Sequence, residues 1–338
     1  MTADGFNLNG REVHDDPAME KVIAAQAKAN DLRKLVSSLK KDRELLLSEF
    51  ADLRNARDVR RSPAIKPTKT DSVRVSFGDV HGMRQDPKAV AAMLRDIKEL
   101  QPDHIILGGD IITCDGFLAA RHALGFVANL DYTYQEDVQA ANKFLDDLQA
   151  ACPNAAIEYI EGNHEHRVER YIVDEVVSNK RDAEFLLSLI APKTLLRLDE
   201  RGIPYYKATQ AHTDNAPLGW IKRGQMYYVH SPPSYSKNAA SDALGKTAAN
   251  VTYWCTHRED SSTSVFPDVG LVKAFNPGCL CIMQPVYRNT NPTNWSQGYQ
   301  IEFIAKSGAF LCVHVPIWRG TSLGKSMIER FRSLPASA

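Results

Sequence analysis

Four short runs of apolar and β-branched residues lie in the middle of the chain, and each ends at a polar or glycine-bearing turn. They are "VRVSF" at 73–77, "HIILGG" at 104–109, "AIEYIEG" at 156–162 and "MYYVHS" at 226–231. Helical periodicity separates the first three runs, at 87–100 and at 137–150. This order of strand, turn and helix predicts an α/β fold with its chemistry beyond the carboxyl ends of the strands.

The last third of the chain has a different pattern. Segments 271–278 and 299–316 resemble strands, with no long helix between them. They predict a second sheet of more antiparallel character.

Residues 17–61 have helical periodicity. Asp16 and Pro17 suit the N-cap and the first position of a helix. Heptad spacing relates the apolar positions Leu32, Val36, Leu39, Leu46, Phe50 and Leu53. Such a stripe needs a partner, either a second copy of the chain, which gives a homo-oligomer, or the flank of the main domain. We predict a helical extension at 1–61, a linker at 62–72 and a main domain at 73–330.

Composition and charge exclude some classes of protein. The 338 residues include 41 Lys and Arg and 41 Asp and Glu, so no global field of one sign directs the protein to nucleic acid or a membrane. No apolar run could span a bilayer and no signal peptide is recognisable, which favours a cytoplasmic protein without membrane contact. The six scattered cysteines are expected to be free thiols.

Groups that can bind a metal follow each of the four predicted strands. They are Asp79 and His81 in "GDVHG", Asp110 in "GGD", Asn163 and His164 in "GNHEHR", and His230. Taken singly, each is an ordinary turn residue or a hydrogen-bonded histidine. Four in series, each at a strand end, predict one shared metal site.

The order GDxHG, GGD, GNHE, a later histidine and then xxTH resembles the calcineurin-like metallophosphoesterase superfamily, over about residues 73–320. "NPGC" at 276–279 and "NWSQGY" at 294–299 also resemble a subset of these proteins that phages often encode. The resemblance implies a four-layer αββα sandwich with mixed sheets, here preceded by the long N-terminal helix.

The resemblance also implies roles for particular residues. Asp79, His81 and His257 would bind the first metal, Asp110 would bridge both metals, and Asn163 and His230 would bind the second. His164 would donate a proton to the leaving oxygen or contact the phosphoryl group. Two divalent ions, Mn²⁺, Fe²⁺ or Zn²⁺, would activate a hydroxide and stabilise both the entering and the leaving oxygen.

The chain departs from the superfamily pattern at "WCTH", residues 254–257, where GHxH is usual. Trp254 replaces the glycine, and Cys255 replaces the histidine that would bind the second metal. Cys255 could coordinate as a thiolate, which favours Zn²⁺ or Fe²⁺, or it could be a buried thiol beside Trp254. We expect hydrolysis to be retained, because three protein ligands and water still make a catalytic metal site.

A second departure follows Asp110. Phosphoprotein phosphatases of the superfamily have an acid three positions later that orients the catalytic histidine, whereas this chain has Thr113 there. Asp115 is a candidate for the orienting role, although an ordinary loop aspartate is the simpler interpretation. Arg167 and Arg258 are candidate phosphate ligands, with pairing of Arg167 to Glu165 or Glu169 on its own helix as the default.

These observations predict a metal-dependent phosphoric ester hydrolase of phosphodiesterase or nuclease type, acting on a nucleic acid end or a nucleotide. The alternatives are a phosphomonoesterase acting on proteins or nucleotides, and a non-catalytic oligomeric scaffold with a degenerate metal site. A nuclease needs aromatic and basic side chains near the site, for which Trp254, Trp295, Tyr287 and Arg288 are available.

Overall fold

The computed structural model describes residues 25–31, 33–34, 37–38, 41, 59–65, 71–116, 118, 132–176, 179–285, 292–322 and 324. The chain divides into two compact units, 1–52 and 53–338. The described residues of the first unit are helical and exposed, as the N-terminal pattern predicts. The six heptad positions lie outside the described residues, so association through residues 17–61 stays a prediction.

The predicted linker begins with residues that belong to the second unit. The Ser62 amide donates to the carbonyl of Arg201 over 2.7 Å. Gln149 Nε2 donates to the Arg60 carbonyl and to Ser62 Oγ, both over 2.8 Å. These hydrogen bonds attach residues 60–62 to the second unit.

The first sheet has seven strands and supplies the parallel core of the fold. In spatial order its strands are β12 (Thr321–Ser322), β11 (Phe310–Trp318), β10 (Gln297–Ile304), β1 (Ser72–Phe77), β2 (His104–Leu107), β3 (Ala156–Ile160) and β4 (Tyr205–Tyr206). The strands β1 to β4 are parallel, and β10 pairs antiparallel with β1. The carboxyl ends of β1, β2 and β3 therefore meet at one edge.

The helices between these strands have clear start signals. Helix α1 (Pro87–Leu100) begins with a proline, and Asp86 accepts from the amides of Lys88 and Ala89. Helix α2 (Tyr134–Ala151) is capped by Thr133. After β3 come α3 (His166–Tyr171), a π-helical turn (Ile172–Val176), α4 (Lys180–Ile190) and α5 (Pro192–Leu195).

The second sheet packs on the first and carries its own helix. Its spatial order is β5 (Ile221–Arg223), β6 (Met226–Val229), β7 (Asn250–Tyr253), β9 (Gly270–Pro277) and β8 (Glu259–Phe266). The outer face of this sheet packs on helix α6 (Ala239–Thr247) through a cluster of buried apolar side chains. Between the sheets, Ile106 and Ile160 pack against Met226, Tyr228 and Trp254. Each such burial contributes about 1.5–3 kcal/mol.

These layers confirm the predicted αββα sandwich, with one correction. Segment 299–316 does not join the second sheet, because β10 and β11 pair antiparallel along the free edge of β1. Strand β6, in contrast, belongs to the second sheet and runs parallel to β7. The site therefore receives loops from both sheets.

Candidate metal centre

Five loops, each after the carboxyl end of a strand, bring the predicted site residues together. Those after β1, β2 and β3 carry Asp79 and His81, then Asp110, then Asn163 and His164; those after β6 and β7 carry His230, then Cys255 and His257. Three loops come from the first sheet and two from the second. The site thus lies where both sheets end.

The backbone in these loops is held in an uncommon conformation. Five of the site residues have positive φ: Asp79 (51°), His81 (59°), Asp110 (52°), Cys255 (70°) and His257 (56°). Left-handed conformations cost free energy for residues other than glycine and need support from their surroundings. The support is backbone pairing between loops: the Asp79 amide donates to Gly109 O over 3.0 Å, and the His81 amide donates to Asp110 O over 2.9 Å.

Glu165 is a second source of support, whereas the sequence suggested it only as a partner of Arg167. Its buried carboxylate accepts the amides of Asp110 at 3.0 Å, Ile111 at 2.9 Å and Gly162 at 2.9 Å, and the Tyr159 hydroxyl at 2.5 Å. The side chain therefore fixes the loop that carries Asp110 to the loop that carries Asn163. The only sequence signal was its place in "GNHE".

Glycine is required where these two loops cross. A Cβ on Gly162 would lie 2.0 Å from Asp110 Oδ1 and 2.4 Å from Asp110 N. Real Cβ atoms do not come so close, and the second contact is to backbone that cannot move aside. Gly162 thus permits the close approach that places Asp110 at the centre of the site.

The first group of ligand atoms consists of Asp79, His81, Asp110 and His257, all buried. His257 Nε2 lies 3.2 Å from His81 Nε2 and 3.4 Å from Asp79 Oδ1. Asp79 Oδ2 accepts the Cys255 amide at 2.9 Å, whereas Oδ1 is buried without a hydrogen-bond partner. An unpaired buried carboxylate oxygen beside two imidazole nitrogens is the arrangement that a bound cation would complete.

The second group centres on His230. Its Nδ1 donates to the Gly108 carbonyl over 2.7 Å, which leaves Nε2 as the nitrogen that faces the site. His230 Nε2 lies 2.9 Å from Asn163 Oδ1 and 3.3 Å from Asp110 Oδ2. The Cys255 thiol lies 3.0 Å from Asn163 Oδ1, so it faces this group and is not directed into the core. Asp110 contacts both groups, as a bridging carboxylate must.

The pKa values of the two histidines in the first group shift in opposite directions. Burial lowers the pKa of His81, and the nearby His164 lowers it further. Burial lowers the pKa of His257, but the adjacent Asp79 carboxylate stabilises the protonated form. The net effect is a pKa raised to about 9. A proton therefore resides on His257 when no cation is bound.

His164 is oriented by a backbone carbonyl. Its Nδ1 donates to the Thr113 carbonyl, and its Nε2 accepts from Arg167 Nη2 at 3.0 Å. Burial, opposed by Asp110 and helped by Arg167, lowers the pKa of His164 to about 4. Thr113, at the position of the phosphatase acid, thus orients the histidine through its main chain.

Arg167 and Asp115 form the polar wall beside His164. Arg167 Nη1 donates to Asp115 Oδ1 over 2.6 Å, and Arg84 Nη2 pairs with Asp115 Oδ2 at the same distance. The default pairing of Arg167 with Glu165 or Glu169 was therefore wrong, because Arg167 pairs with the almost fully buried Asp115. Nothing in the local sequence indicates that Arg84 pairs with Asp115.

The remaining candidate residues are Arg258, Trp254, Trp295, Tyr287 and Arg288. Arg258 Nη2 donates to the Ser236 carbonyl over 2.8 Å, which anchors a loop beside the site. Trp254 is fully buried and fills the space that Gly108 leaves, where a Cβ would lie 2.1 Å from the indole. The Trp295 ring lies 4.1 Å from that of His257, between centroids. Tyr287 and Arg288 lie outside the described residues.

A further group of possible ligands, Glu161, His166 and Glu169, lies beside β3. Lys207 Nζ donates to Glu169 Oε2 over 2.7 Å, and Glu161 accepts from Tyr205 and from the Ala208 amide. These carboxylates already have partners, so the group is explained as a polar network.

Within the described residues, no helix is long and apolar enough to cross a membrane.

Comparisons with known proteins place this geometry in a family. Among solved structures, the chain is similar to a Vps29 mutant from Entamoeba histolytica, with 12% identity, a TM-score of 0.35 and coverage of 74% of this chain and 95% of that one. It is also similar to Yfce, a phosphoesterase from E. coli, with 14% identity, a TM-score of 0.31 and coverage of 72% and 98%. No curated protein matches the chain. The family model for calcineurin-like phosphoesterases matches residues 75–268, and the chain belongs to that family.

Proposed function

We propose that this protein is a metal-dependent phosphoric ester hydrolase of the phosphodiesterase type. The main support is the position of the Asp110 carboxylate. Its Oδ2 lies 3.9 Å from His81 Nε2 and 3.3 Å from His230 Nε2, so one side chain adjoins both groups of ligand atoms. Asp110 Oδ1 accepts the His164 amide over 2.9 Å, so Oδ2 is the oxygen that faces both groups.

The residues present fit two divalent cations. Asp79, His81 and His257 would hold the first, Asn163, His230 and Cys255 the second, and Asp110 would bridge them. When bound, such ions activate water and neutralise the oxygens of a phosphoryl group. Oxygen and imidazole ligands suit Mn²⁺, Fe²⁺ or Zn²⁺, and the Cys255 thiol favours Zn²⁺ or Fe²⁺ at the second position.

Arg167, positioned by His164, would bind the phosphoryl group on the side facing Asp115. A neutral His164 that donates from Nδ1 to Thr113 has only a lone pair at Nε2. That nitrogen positions Arg167, whose guanidinium has donors left for a phosphoryl oxygen. Both ring nitrogens of His164 are thus occupied, so a role in positioning Arg167 fits His164 better than the role of proton donor.

The charge balance of this wall supports a diester substrate. Arg84 and Arg167 both pair with the carboxylate of Asp115, so together these three side chains carry about one positive charge. A phosphomonoester is a dianion near neutral pH and would gain most from unpaired arginines. A phosphodiester carries one negative charge and matches the wall as it stands.

The test compares hydrolysis of bis(p-nitrophenyl) phosphate and p-nitrophenyl phosphate by the metal-free protein reconstituted with Mn²⁺. We expect a higher kcat/KM on the diester and no turnover by the Asp110→Ala variant. The Asp147→Asn variant is the matched control, because Asp147 is exposed and pairs with Lys143 on its own helix. A higher kcat/KM on the monoester would favour a phosphomonoesterase. A folded protein that binds no metal and hydrolyses neither compound would favour a scaffold.

A further inference from the structure

An aromatic ring covers one side of the first ligand group. The Trp295 indole packs on the His257 imidazole, with ring centroids 4.1 Å apart, and remains half-buried. Its position is fixed by the next residue, because the Ser296 amide donates to the His257 carbonyl over 2.9 Å and Ser296 Oγ accepts the Glu259 amide. The indole therefore packs on a predicted ligand and remains partly exposed.

A second aromatic ring lies beside the second ligand group. Tyr235 contacts the side chains of Cys255 and Ser231 through its hydroxyl, yet 61% of the residue is exposed. Its loop is well anchored: Ser234 and Ser236 both donate to Asp242, over 2.6 and 2.7 Å. Arg258 also donates to the Ser236 carbonyl over 2.8 Å. A large exposed ring thus lies on an anchored loop, where no packing of the core requires it.

The two rings adjoin the same short turn. Tyr235 contacts Cys255 and Trp295 contacts His257, so the turn at 255–257 has an aromatic side chain at each end. We infer that Tyr235 and Trp295 form a subsite for a nucleobase, which places the attached phosphodiester against the metal-binding side chains. This inference rests on the proposed function and specifies its substrate as a nucleotide diester.

The physical basis of the subsite is stacking and not charge. Every base has a π-face, and stacking on an aromatic side chain contributes about 1–3 kcal/mol per base. Preorganised rings lose little conformational entropy when the base binds. Because the chain as a whole has no net charge, a subsite that does not depend on a basic surface matches its composition.

The test uses two substrates that share p-nitrophenol as the leaving group and differ in the other ester. Thymidine 5′-(p-nitrophenyl phosphate) carries a base, and methyl p-nitrophenyl phosphate does not. We expect the wild-type protein with Mn²⁺ to favour the thymidine compound, and the ratio of the two kcat/KM values to fall about tenfold in Tyr235→Ala and in Trp295→Ala. Tyr235→Phe and Trp295→Phe, which keep a ring, should retain most of the ratio.

Leu311→Ala is the matched control, because Leu311 is exposed on β11 and pairs with Phe303, at the opposite end of β10 from Trp295. Its ratio should equal that of the wild type. The inference is overturned if the wild-type ratio is near one, or if both alanine variants keep the wild-type ratio while hydrolysing both substrates. A short oligothymidylate that competes better than thymidine 5′-monophosphate would identify the terminal nucleotide of a strand as the source of the base.

A binding measurement decides the inference even if the proposed function fails. Calorimetric titration of the metal-free protein compares thymidine 5′-monophosphate with ribose 5-phosphate. We expect tighter binding of the nucleotide, with the difference lost in Trp295→Ala. Equal affinity for both compounds contradicts the subsite. Hydrolysis of neither substrate together with tighter nucleotide binding would overturn the enzyme assignment alone.

Discussion

The Nε2 atoms of His81 and His257 lie 3.2 Å apart, although the two residues are separated by 176 positions. Two protonated imidazoles cannot share this geometry, because their charges and hydrogens would collide. The pair is compatible with one proton or with one cation. Metal and protons therefore compete for the same nitrogen atoms.

This competition predicts a pH dependence of stability in the metal-free protein. Because the pKa of His257 rises from 6.5 to about 9 on folding, its stabilising effect is complete below pH 6.5 and is lost as the pH rises through 9. Urea unfolding should show the free energy of unfolding of the wild type falling relative to His257→Gln over this range, by on the order of 3 kcal/mol. A constant difference between the two proteins would contradict it.

The same competition predicts that the affinity for Mn²⁺ increases with pH over this range. Binding must displace the His257 proton, and that displacement costs less as the pH approaches 9. Calorimetry in buffers of different ionisation enthalpy would count the protons released. Binding without proton release at pH 7 would contradict the assignment of His257 as a ligand.

A second prediction concerns Cys255. Its thiol lies 3.0 Å from Asn163 Oδ1, at the entrance to the second ligand group. The Cys255→Ala variant should lose affinity for one equivalent of Zn²⁺ by about tenfold or more, while the other equivalent is unaffected. Cys255→His, which restores the usual pattern, should keep both equivalents. Cys312→Ala is the control, and equal Zn²⁺ affinity in Cys255→Ala and wild type would show that the thiol is not a ligand.

A third prediction concerns the polar wall. Asp115→Asn removes the charge that holds Arg84 and Arg167 in place, so Arg167 should lose its fixed position beside His164. We expect lower kcat/KM on the phosphodiester with unchanged metal content, and a smaller preference for the diester over the monoester. The exposed Asp147→Asn variant provides the baseline. Loss of bound metal in Asp115→Asn would instead show that the wall shapes the ligands.

A fourth prediction tests the support of the loops. In Glu165→Ala, the amides of Asp110, Ile111 and Gly162 lose their acceptor inside the protein, and each unsatisfied group costs about 1–3 kcal/mol. The free energy of unfolding in urea should fall by at least about 3 kcal/mol. Glu165→Gln keeps an acceptor oxygen and should lose less. Equal losses in the two variants would argue against the hydrogen bonds as the cause.

The sequence predicted the parts of the site that depend on short spacing. Asp79, Asp110 and Asn163 each follow a buried strand within a few residues, so their positions follow from the rule that parallel strands end at one edge. The last two loops come from another sheet, yet His230 and His257 could be assigned because the order of motifs along the chain is characteristic.

The missed features depend on contacts between distant segments. Arg84 and Arg167 converge on Asp115 only because the loops after β1, β2 and β3 cross, and nothing in the local pattern marks this. The pairing of β10 with β1 joins residues more than two hundred positions apart and cannot be inferred from strand propensity. Trp254, where the superfamily pattern has glycine, is a further example. Its indole occupies the space beside Gly108, and this contact exists only in the folded protein.

In the proposed site, side chains from five loops bind a pair of cations around Asp110. The most direct measurement is the number of Mn²⁺ equivalents bound by the metal-free wild type and by Asp110→Asn, determined by calorimetric titration. The account predicts two equivalents for the wild type and weakened binding of both in the variant, because one side chain contacts both groups. Two equivalents bound with unchanged affinity by Asp110→Asn, or none bound by the folded wild type, would contradict it.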